Sequence, residues 1–84
     1  MKRVLLSRDA QEALASLPKV IRMRVRGIVE ALQHWPDVSG AKPLTGDLAG
    51  HYRKRTGDFR IVFRVEGDTL LIEKIAHRRD VYED

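Results

Sequence analysis

A β-hairpin centred on a turn at Gly57 and Asp58 is the sequence feature that most constrains the fold of this chain. After the turn, apolar and charged side chains largely alternate, which is the period of a strand with one buried face. The positions on one side are Phe59, Ile61, Phe63 and Val65, and those on the other are Arg60, Val62 and Arg64. We therefore expect the aromatic face of the hairpin to meet the core and the arginine face to be open.

The same hairpin carries the charge excess of the protein. Residues 51–64 hold five bases and one acid, and this balance of +4 equals the formal net charge of the whole chain. The bases are Arg53, Lys54, Arg55, Arg60 and Arg64. Cations fixed on strands are preorganised for a polyanion, or for negative charge that develops during a reaction. The alternative interpretation is a solvated strand face whose arginines pair with Glu66, Asp68 and Glu73.

The spacing of the arginines favours the anion site. With the turn at residues 57–58, Arg55 and Arg60 are expected to lie nearly opposite each other, although like charges across a sheet repel. A guanidinium group binds phosphate oxygens bidentately and stays charged. A sheet with a purely structural role would seldom choose such a pair, whereas a phosphate site would.

The rest of the chain predicts a single α+β domain spanning residues 1–84, with a helical hairpin on one face of a four-stranded sheet. Ser7 is a good N-cap for the first helix, and Leu44 and Leu48 are expected to hold the linker against the core. The predicted elements are a strand at residues 2–6, helices at 8–16 and 18–34, a linker at 36–50, and antiparallel strands at 51–56, 59–65 and 69–76.

Composition excludes several classes of function. The chain has no cysteine, which excludes disulfides and thiolate metal sites and fits a reducing, cytoplasmic setting. No apolar run approaches the roughly 20 residues of a membrane span. The histidines and acids show no spacing typical of metal ligands, so we expect no metal, no cofactor and no membrane partner.

A second polar cluster follows the last predicted strand. His77, Arg78, Arg79 and Tyr82 lie within six residues of one another. Together they offer a proton carrier, anion-binding groups and an aromatic ring that can stack on a base. The alternative is a polar tail whose tyrosine packs on the sheet.

Three segments resemble one known family. They read Lys-Pro-Leu-Thr-Gly-Asp-Leu-Ala-Gly at residues 42–50, Tyr-Arg-Lys-Arg-Thr-Gly-Asp-Phe-Arg-Ile-Val-Phe at 52–63, and Ile-Ala-His-Arg-Arg-Asp-Val-Tyr at 75–82. The chain resembles the RelE/ParE superfamily of toxins from bacterial and archaeal toxin–antitoxin modules over essentially its whole length. The resemblance implies a compact α+β toxin with a cognate antitoxin as partner.

The two branches of that family imply different targets. RelE-like members cleave mRNA in the ribosomal A site without a metal, whereas ParE-like members poison DNA gyrase. The RelE-like branch is favoured because this chain carries the whole set of matching positions. These positions are Arg53, Arg55, Arg60, Arg78 and Tyr82. A third interpretation is a non-toxic remnant that only binds a partner.

The RelE-like resemblance implies a role for each residue. Arg55 and Arg60 are expected to clamp the scissile phosphate and Arg78 to stabilise the leaving oxygen. Arg53 is expected to hold a neighbouring phosphate or to assist at the 2′-hydroxyl. Tyr82 is expected to orient a base. Arginine stands where the family pattern has lysine, and it hardly releases a proton, so His77 is the candidate proton carrier. The further phosphate-binding candidates are Lys54, Arg64 and Arg79.

Overall fold

The computed structural model describes residues 1–80 as two α-helices on one face of a five-stranded mixed sheet. The helices are α1 (Arg8–Ser16) and α2 (Lys19–Ala31), and the strands are β1 (Arg3–Leu6), β2 (Ala41–Pro43), β3 (His51–Thr56), β4 (Phe59–Glu66) and β5 (Thr69–His77). The sheet order is β1-β5-β4-β3-β2, with β1 parallel to β5 and the other neighbours antiparallel. Short 3₁₀ turns cover Leu32–His34, Gly46–Leu48 and Arg78–Asp80.

The prediction of four strands is wrong by one, because β2 lies inside the segment predicted as a linker. Its three residues pair with β3 at the edge of the sheet, with Pro43 opposite Tyr52. An edge strand tolerates proline, which has no backbone N–H, because its outer side has no neighbouring strand to which an N–H would donate. Three residues that include a proline are too few to show an alternating pattern, so the sequence did not reveal this strand.

The aromatic face of the hairpin meets the helices, as predicted. Ile61 and Phe63 are fully buried and pack with Val25 of α2 in the main core. Trp35, in the segment that follows α2, packs against this core. Its ring centroid lies 5.3 Å from that of Phe63 and 4.6 Å from that of Tyr52. The buried face of the sheet is therefore organised around one phenylalanine.

A β-bulge in β5 explains why the buried residues of this strand do not alternate strictly. Leu70, Ile72 and Ile75 are all buried in the main core, yet the last two are three residues apart and strict alternation would put them on opposite faces. The strand pairing shifts between Phe63, opposite Ile72, and Val62, opposite Lys74, so that Glu73 has no direct partner in β4. The extra residue resets the alternation, so that Glu73 and Lys74 both lie on the side away from the helices and Ile75 returns to the core.

Ser7 links the start of α1 to this bulge. Its hydroxyl accepts a hydrogen bond from the backbone nitrogen of Ala10 at 3.0 Å and donates one to the carbonyl of Glu73 at 2.9 Å. The first helix runs from Arg8 to Ser16, as the sequence predicted. In the range that the structure describes, no helix is long and apolar enough to cross a membrane.

Replacing Ser7 by alanine is expected to destabilise the protein by about 1–2 kcal/mol, because the helix loses its cap and the bulge loses a donor. Urea unfolding monitored by circular dichroism would measure the change. Ser16→Ala is the matched control, since its exposed hydroxyl bonds the carbonyl of Glu12, one turn earlier in the same helix. Equal stability of the two variants would contradict the structural role of Ser7.

Candidate functional site: a cationic face of the sheet

The side of the sheet that faces away from the helices collects most of the cations on the strands. Strand pairing places Arg55 directly opposite Arg60, as the hairpin pattern predicted. We call this side the arginine face. It comprises Lys42 of β2, His51, Arg53 and Arg55 of β3, Arg60, Val62 and Arg64 of β4, and Lys74 of β5. Six cationic side chains on one surface make a strongly positive platform.

The prediction that this face is open is wrong. Arg53 and Arg60 are only 4% and 5% exposed. The chain between β2 and β3 folds onto the middle of the face, where Leu44 and Leu48 pack with Val62 in a second apolar cluster. These leucines therefore hold the linker, but against the side opposite the main core. Val62 is an apolar side chain on a charged face, and it could not stay exposed without cost.

Arg53 is a buried cation whose hydrogen-bonding capacity is incompletely used. It lies directly opposite Val62 in the strand register, and its Nε has no hydrogen-bond partner among the described residues. Burying an unsatisfied polar group is unfavourable. An anion that reached Arg53 would therefore satisfy a donor that the fold leaves unused.

The turn between β3 and β4 gathers three of the predicted site residues. Arg60 Nη1 donates to the carbonyl of Gly57 in the turn and to that of Phe59 at the start of β4, each at 3.3 Å. Arg78 approaches from the end of β5: its backbone nitrogen donates to the Asp58 carbonyl at 2.6 Å, and its Nε lies 3.8 Å from Asp58 Oδ1. Arg55, Arg60 and Arg78 thus surround one tight turn, which fixes their backbones relative to one another.

A histidine–carboxylate–arginine cluster occupies the opposite end of the arginine face. His51 Nε2 contacts Glu73 Oε1, and Arg64 Nε lies 3.7 Å from Glu73 Oε2. Arg64 also pairs with Glu66 at 3.5 Å. The ion-pairing alternative that the sequence left open therefore describes Arg64, and these pairs neutralise part of the charge at this end.

Several predicted site residues lie away from the arginine face. Lys54 points to the helix side of the sheet and donates through Nζ to the Ser39 carbonyl at 2.8 Å. His77 is also on that side, opposite Phe59, with the two ring centroids 5.5 Å apart. Arg79 is exposed in the 3₁₀ turn that follows β5. Tyr82 lies outside the described residues.

Three side chains of the arginine face were not among the predicted site residues: Lys42, His51 and Lys74. His51 could have been found, because it alternates with Arg53 on the same strand. Lys42 was hidden in the segment taken for a linker, and Lys74 reaches this side only through the bulge. Between Met1 and Asp80, no three histidine or acidic residues are grouped as metal ligands would be.

The protein is a small basic α+β domain, with helices on one side of a mixed sheet and cations on the other side. Such a domain is suited to binding an anion. Comparison with known proteins assigns the domain to a family. The family described as the ParE toxin of the type II toxin–antitoxin system parDE matches residues 4–82. Toxin RelE3 of Methanocaldococcus jannaschii is 30% identical, and the alignment covers 96% of each chain.

Solved structures agree with this assignment. A chain of the toxin–antitoxin complex RelBE2 from Mycobacterium tuberculosis superposes with a TM-score of 0.80 at 29% identity, over 92% of this chain and 98% of that one. The isolated Escherichia coli RelE toxin superposes with a TM-score of 0.76 at 11% identity, which shows the shared fold. The protein described here belongs to the RelE/ParE superfamily of type II toxin–antitoxin toxins.

Proposed function

We propose that this toxin is a RelE-like endoribonuclease that cleaves mRNA in the ribosomal A site and so inhibits translation in the cytoplasm. The observation that carries the proposal is the grouping of Arg55, Arg60 and Arg78 around the turn at residues 57–58. Three guanidinium groups on backbones fixed by one turn are suited to a phosphate whose charge increases in the transition state. The 30% identity with a RelE toxin over almost the whole chain supports the same branch.

The proposed reaction is attack of the ribose 2′-oxygen on the adjacent phosphorus. The 2′-O–P bond forms as the P–O5′ bond breaks, which leaves a 2′,3′-cyclic phosphate and a 5′-hydroxyl. Arg55 and Arg60 clamp the scissile phosphate, and Arg78 stabilises the leaving 5′-oxygen. Arg53 holds a neighbouring phosphate, and Tyr82 stacks on a base. A base removes the 2′-hydroxyl proton, and an acid protonates the 5′-oxygen.

His77 is the proposed proton carrier. It lies opposite Phe59, so it is at the same end of the sheet as the turn, whereas His51 lies opposite Arg64 at the other end. Its ring is on the helix side of the sheet, and it must therefore reach the phosphate around the sheet end rather than across the arginine face. His77 Nδ1 accepts a hydrogen bond from the Arg79 nitrogen at 3.3 Å, which leaves Nε2 to exchange the proton.

Exchanging each histidine for glutamine tests this choice. We expect His77→Gln to slow ribosome-dependent cleavage by about 10²-fold, because glutamine keeps a hydrogen-bonding side chain but cannot shuttle a proton. His51→Gln is expected to have little effect on the rate. Single-turnover cleavage by the two purified variants would measure both rates. A larger loss of rate in His51→Gln than in His77→Gln would move the role to the cluster with Glu73.

The antitoxin is the proposed natural partner of this chain. Related chains of the same fold occur in solved complexes named RelBE2 from Mycobacterium tuberculosis and RelE–RelB from Pyrococcus horikoshii. An antitoxin would keep the nuclease inactive until it is removed. We expect the antitoxin gene to lie beside the toxin gene.

The second candidate function is inhibition of DNA gyrase without cleavage. The observation that favours it is the family match itself, because the matching description is that of the ParE toxin. Inducing the toxin in a bacterium separates the two. The nuclease predicts new mRNA 5′ ends within ribosome-covered codons, mapped by primer extension, and no DNA-damage response. The gyrase inhibitor predicts a DNA-damage response with unchanged mRNA ends, and absence of growth arrest would contradict both.

A further inference from the structure

The chain between β2 and β3 crosses the middle of the arginine face as a short strap, residues 46–50. A glycine stands at each end of the strap, and Gly46 and Gly50 have φ angles of 65° and 93°. Other residues rarely adopt such angles, whereas glycine reaches them at no steric cost. Residues that can absorb a change of backbone angle serve as the hinges of moving segments. The strap therefore has a residue suited to a hinge at both of its ends.

Leu48 is the side chain that holds the strap to the sheet. It is half-buried and packs against the apolar cluster on the arginine face. The backbone nitrogens of Leu48 and Ala49 donate to carbonyls one turn earlier, at 3.3 and 3.1 Å, so neither bond joins the strap to a strand. Segments with few buried apolar contacts open at a low cost in free energy. Lifting the strap therefore requires mainly the exposure of one leucine.

The residues on either side of the strap are fixed to the sheet. Leu44 is buried, and its backbone nitrogen donates to the His51 carbonyl at 2.9 Å. His51 begins β3 and lies opposite Arg64 of β4. Opening is therefore confined to residues 46–50, and the cations on the strands keep their positions when the strap moves.

Arg53 lies in the part of the face that the strap covers. It is almost fully buried and directly opposite Val62, which packs with Leu48. Its Nε has no hydrogen-bond partner among the described residues. An RNA phosphate cannot reach a guanidinium group that the chain itself covers. Lifting the strap would expose Arg53 and would give its Nε the acceptor that it lacks.

The charge of the strap favours the closed position when no RNA is present. The strap carries one acid, Asp47, and no base. Lys42 and Lys74 lie in the same cross-strand row as Arg53 and Val62, one at each end of the row. A carboxylate above these cations is attracted to them, but it repels a phosphate that approaches the same surface. RNA phosphates therefore compete with the strap for one set of cations.

We propose that the strap is a lid on Arg53 that lifts when RNA binds. The nature of the ligand rests on the proposed function, while the lid itself rests on the hinges, the leucine contact and the covered cation. The scissile phosphate meets Arg55 and Arg78 outside the lid, and the neighbouring phosphate meets Arg53 only after the lid has opened. Part of the binding free energy is then used for opening, so the toxin binds RNA less tightly than a permanently open site would.

Replacing Leu48 by serine tests the direction of this effect. The variant loses the apolar contact that holds the lid, so a larger fraction of the molecules is open. We expect about fivefold tighter binding of a fluorescent single-stranded RNA oligonucleotide, measured by anisotropy at a fixed salt concentration. A leucine with only a structural role would give unchanged or weaker binding. Leu5→Ser is the matched control, since it removes an exposed leucine from β1 on the same side of the sheet.

Locking the lid with a disulfide tests the opposite change. The chain has no cysteine, so Leu48→Cys combined with Val62→Cys supplies a single pair of thiols. Oxidised glutathione would join them, and mass spectrometry would verify the bond. The locked lid is expected to weaken RNA binding and to slow ribosome-dependent cleavage, each by about 10-fold or more, and dithiothreitol should restore both. The wild type receives the same treatments as the control, because it has no thiol to oxidise.

The two measurements separate the lid from the proposed function. RNA binding and cleavage that do not change when the verified disulfide forms would overturn the lid. Binding that depends on the disulfide, without any cleavage of ribosome-bound mRNA by the wild type, would support the lid and refute the nuclease.

A third substitution tests whether the lid acts through Arg53. In folded Arg53→Gln protein, both the disulfide and Leu48→Ser should lose their effects on RNA binding. Effects that persist in this background would overturn the assignment of the lid to Arg53. If the cysteine pair fails to fold or to oxidise, Leu48→Ser decides alone, and RNA binding no tighter than that of the wild type would overturn the proposal.

Discussion

Cleavage of ribosome-bound mRNA is expected to be 10²–10³-fold slower when Arg60 is replaced by alanine, as judged from the removal of single oxyanion donors in other enzymes. Arg60 sits directly across from Arg55 and is held against the turn that also receives Arg78. In the proposed mechanism its guanidinium group supplies charge and paired donors to the phosphate, and the neighbouring arginines would not restore either. Single-turnover cleavage of a programmed ribosome by purified toxin would measure the rate.

A graded series of variants makes the test of Arg60 specific. Arg60→Lys keeps the charge but loses the planar fork, so its rate should fall between those of the wild type and the alanine variant. Because Arg60 is buried, circular dichroism and thermal melting must show that both variants fold. Arg8→Ala is the matched control, since it removes one cation from the exposed surface of α1. Wild-type rates in folded Arg60→Ala would remove Arg60 from the site.

The largest expected effect on stability comes from Phe63→Ala. Phe63 is fully buried, and its ring lies 5.3 Å from that of Trp35 and 5.7 Å from that of Tyr52. Truncating a buried phenylalanine costs about 3–5 kcal/mol. A small domain has a total stability of only about 5–15 kcal/mol, so the loss is a large part of the whole. The Tm should fall by at least about 12 °C for a chain of this size.

Urea unfolding at 25 °C would measure the effect of Phe63→Ala. The midpoint should fall with little change in the m-value, because the surface exposed on unfolding is nearly the same. Met23→Ala is the control, since that side chain is 63% exposed and its loss should change stability by less than about 0.5 kcal/mol. A loss below about 1 kcal/mol in Phe63→Ala would show that the aromatic cluster does not organise the core.

The regular elements were predictable because their patterns are local. The cap at Ser7, the helical spacing in α1 and α2, and the alternation in β4 each depend on side chains close in sequence. The edge strand β2 was not predictable, since its conformation depends on pairing with β3 and not on its own three residues. The bulge at Glu73 escaped prediction because it reconciles β5 with a core shared with the helices.

The candidate site also combines features that were predictable from the sequence with features that were not. The alternation of Arg53 and Arg55 and the turn at residues 57–58 were sufficient to pair Arg55 with Arg60. They did not show that Leu44 and Leu48 cover the middle of the arginine face, because that contact joins segments remote from the turn. They also did not show on which side of the sheet each histidine lies. His77 shares the helix side with Phe59, whereas His51 lies on the arginine face.

The sequence by itself determined the hairpin, its two faces, its charge and the family. These properties follow from the period of a strand, the conformation of a tight turn and the types of side chain present, so no distant contact was needed. Only the tertiary structure decided which cations are buried, which histidine shares their face and which side of α2 remains uncovered. Burial and exposure depend on what packs against a residue, and in this protein the packing partners come from distant segments of the chain.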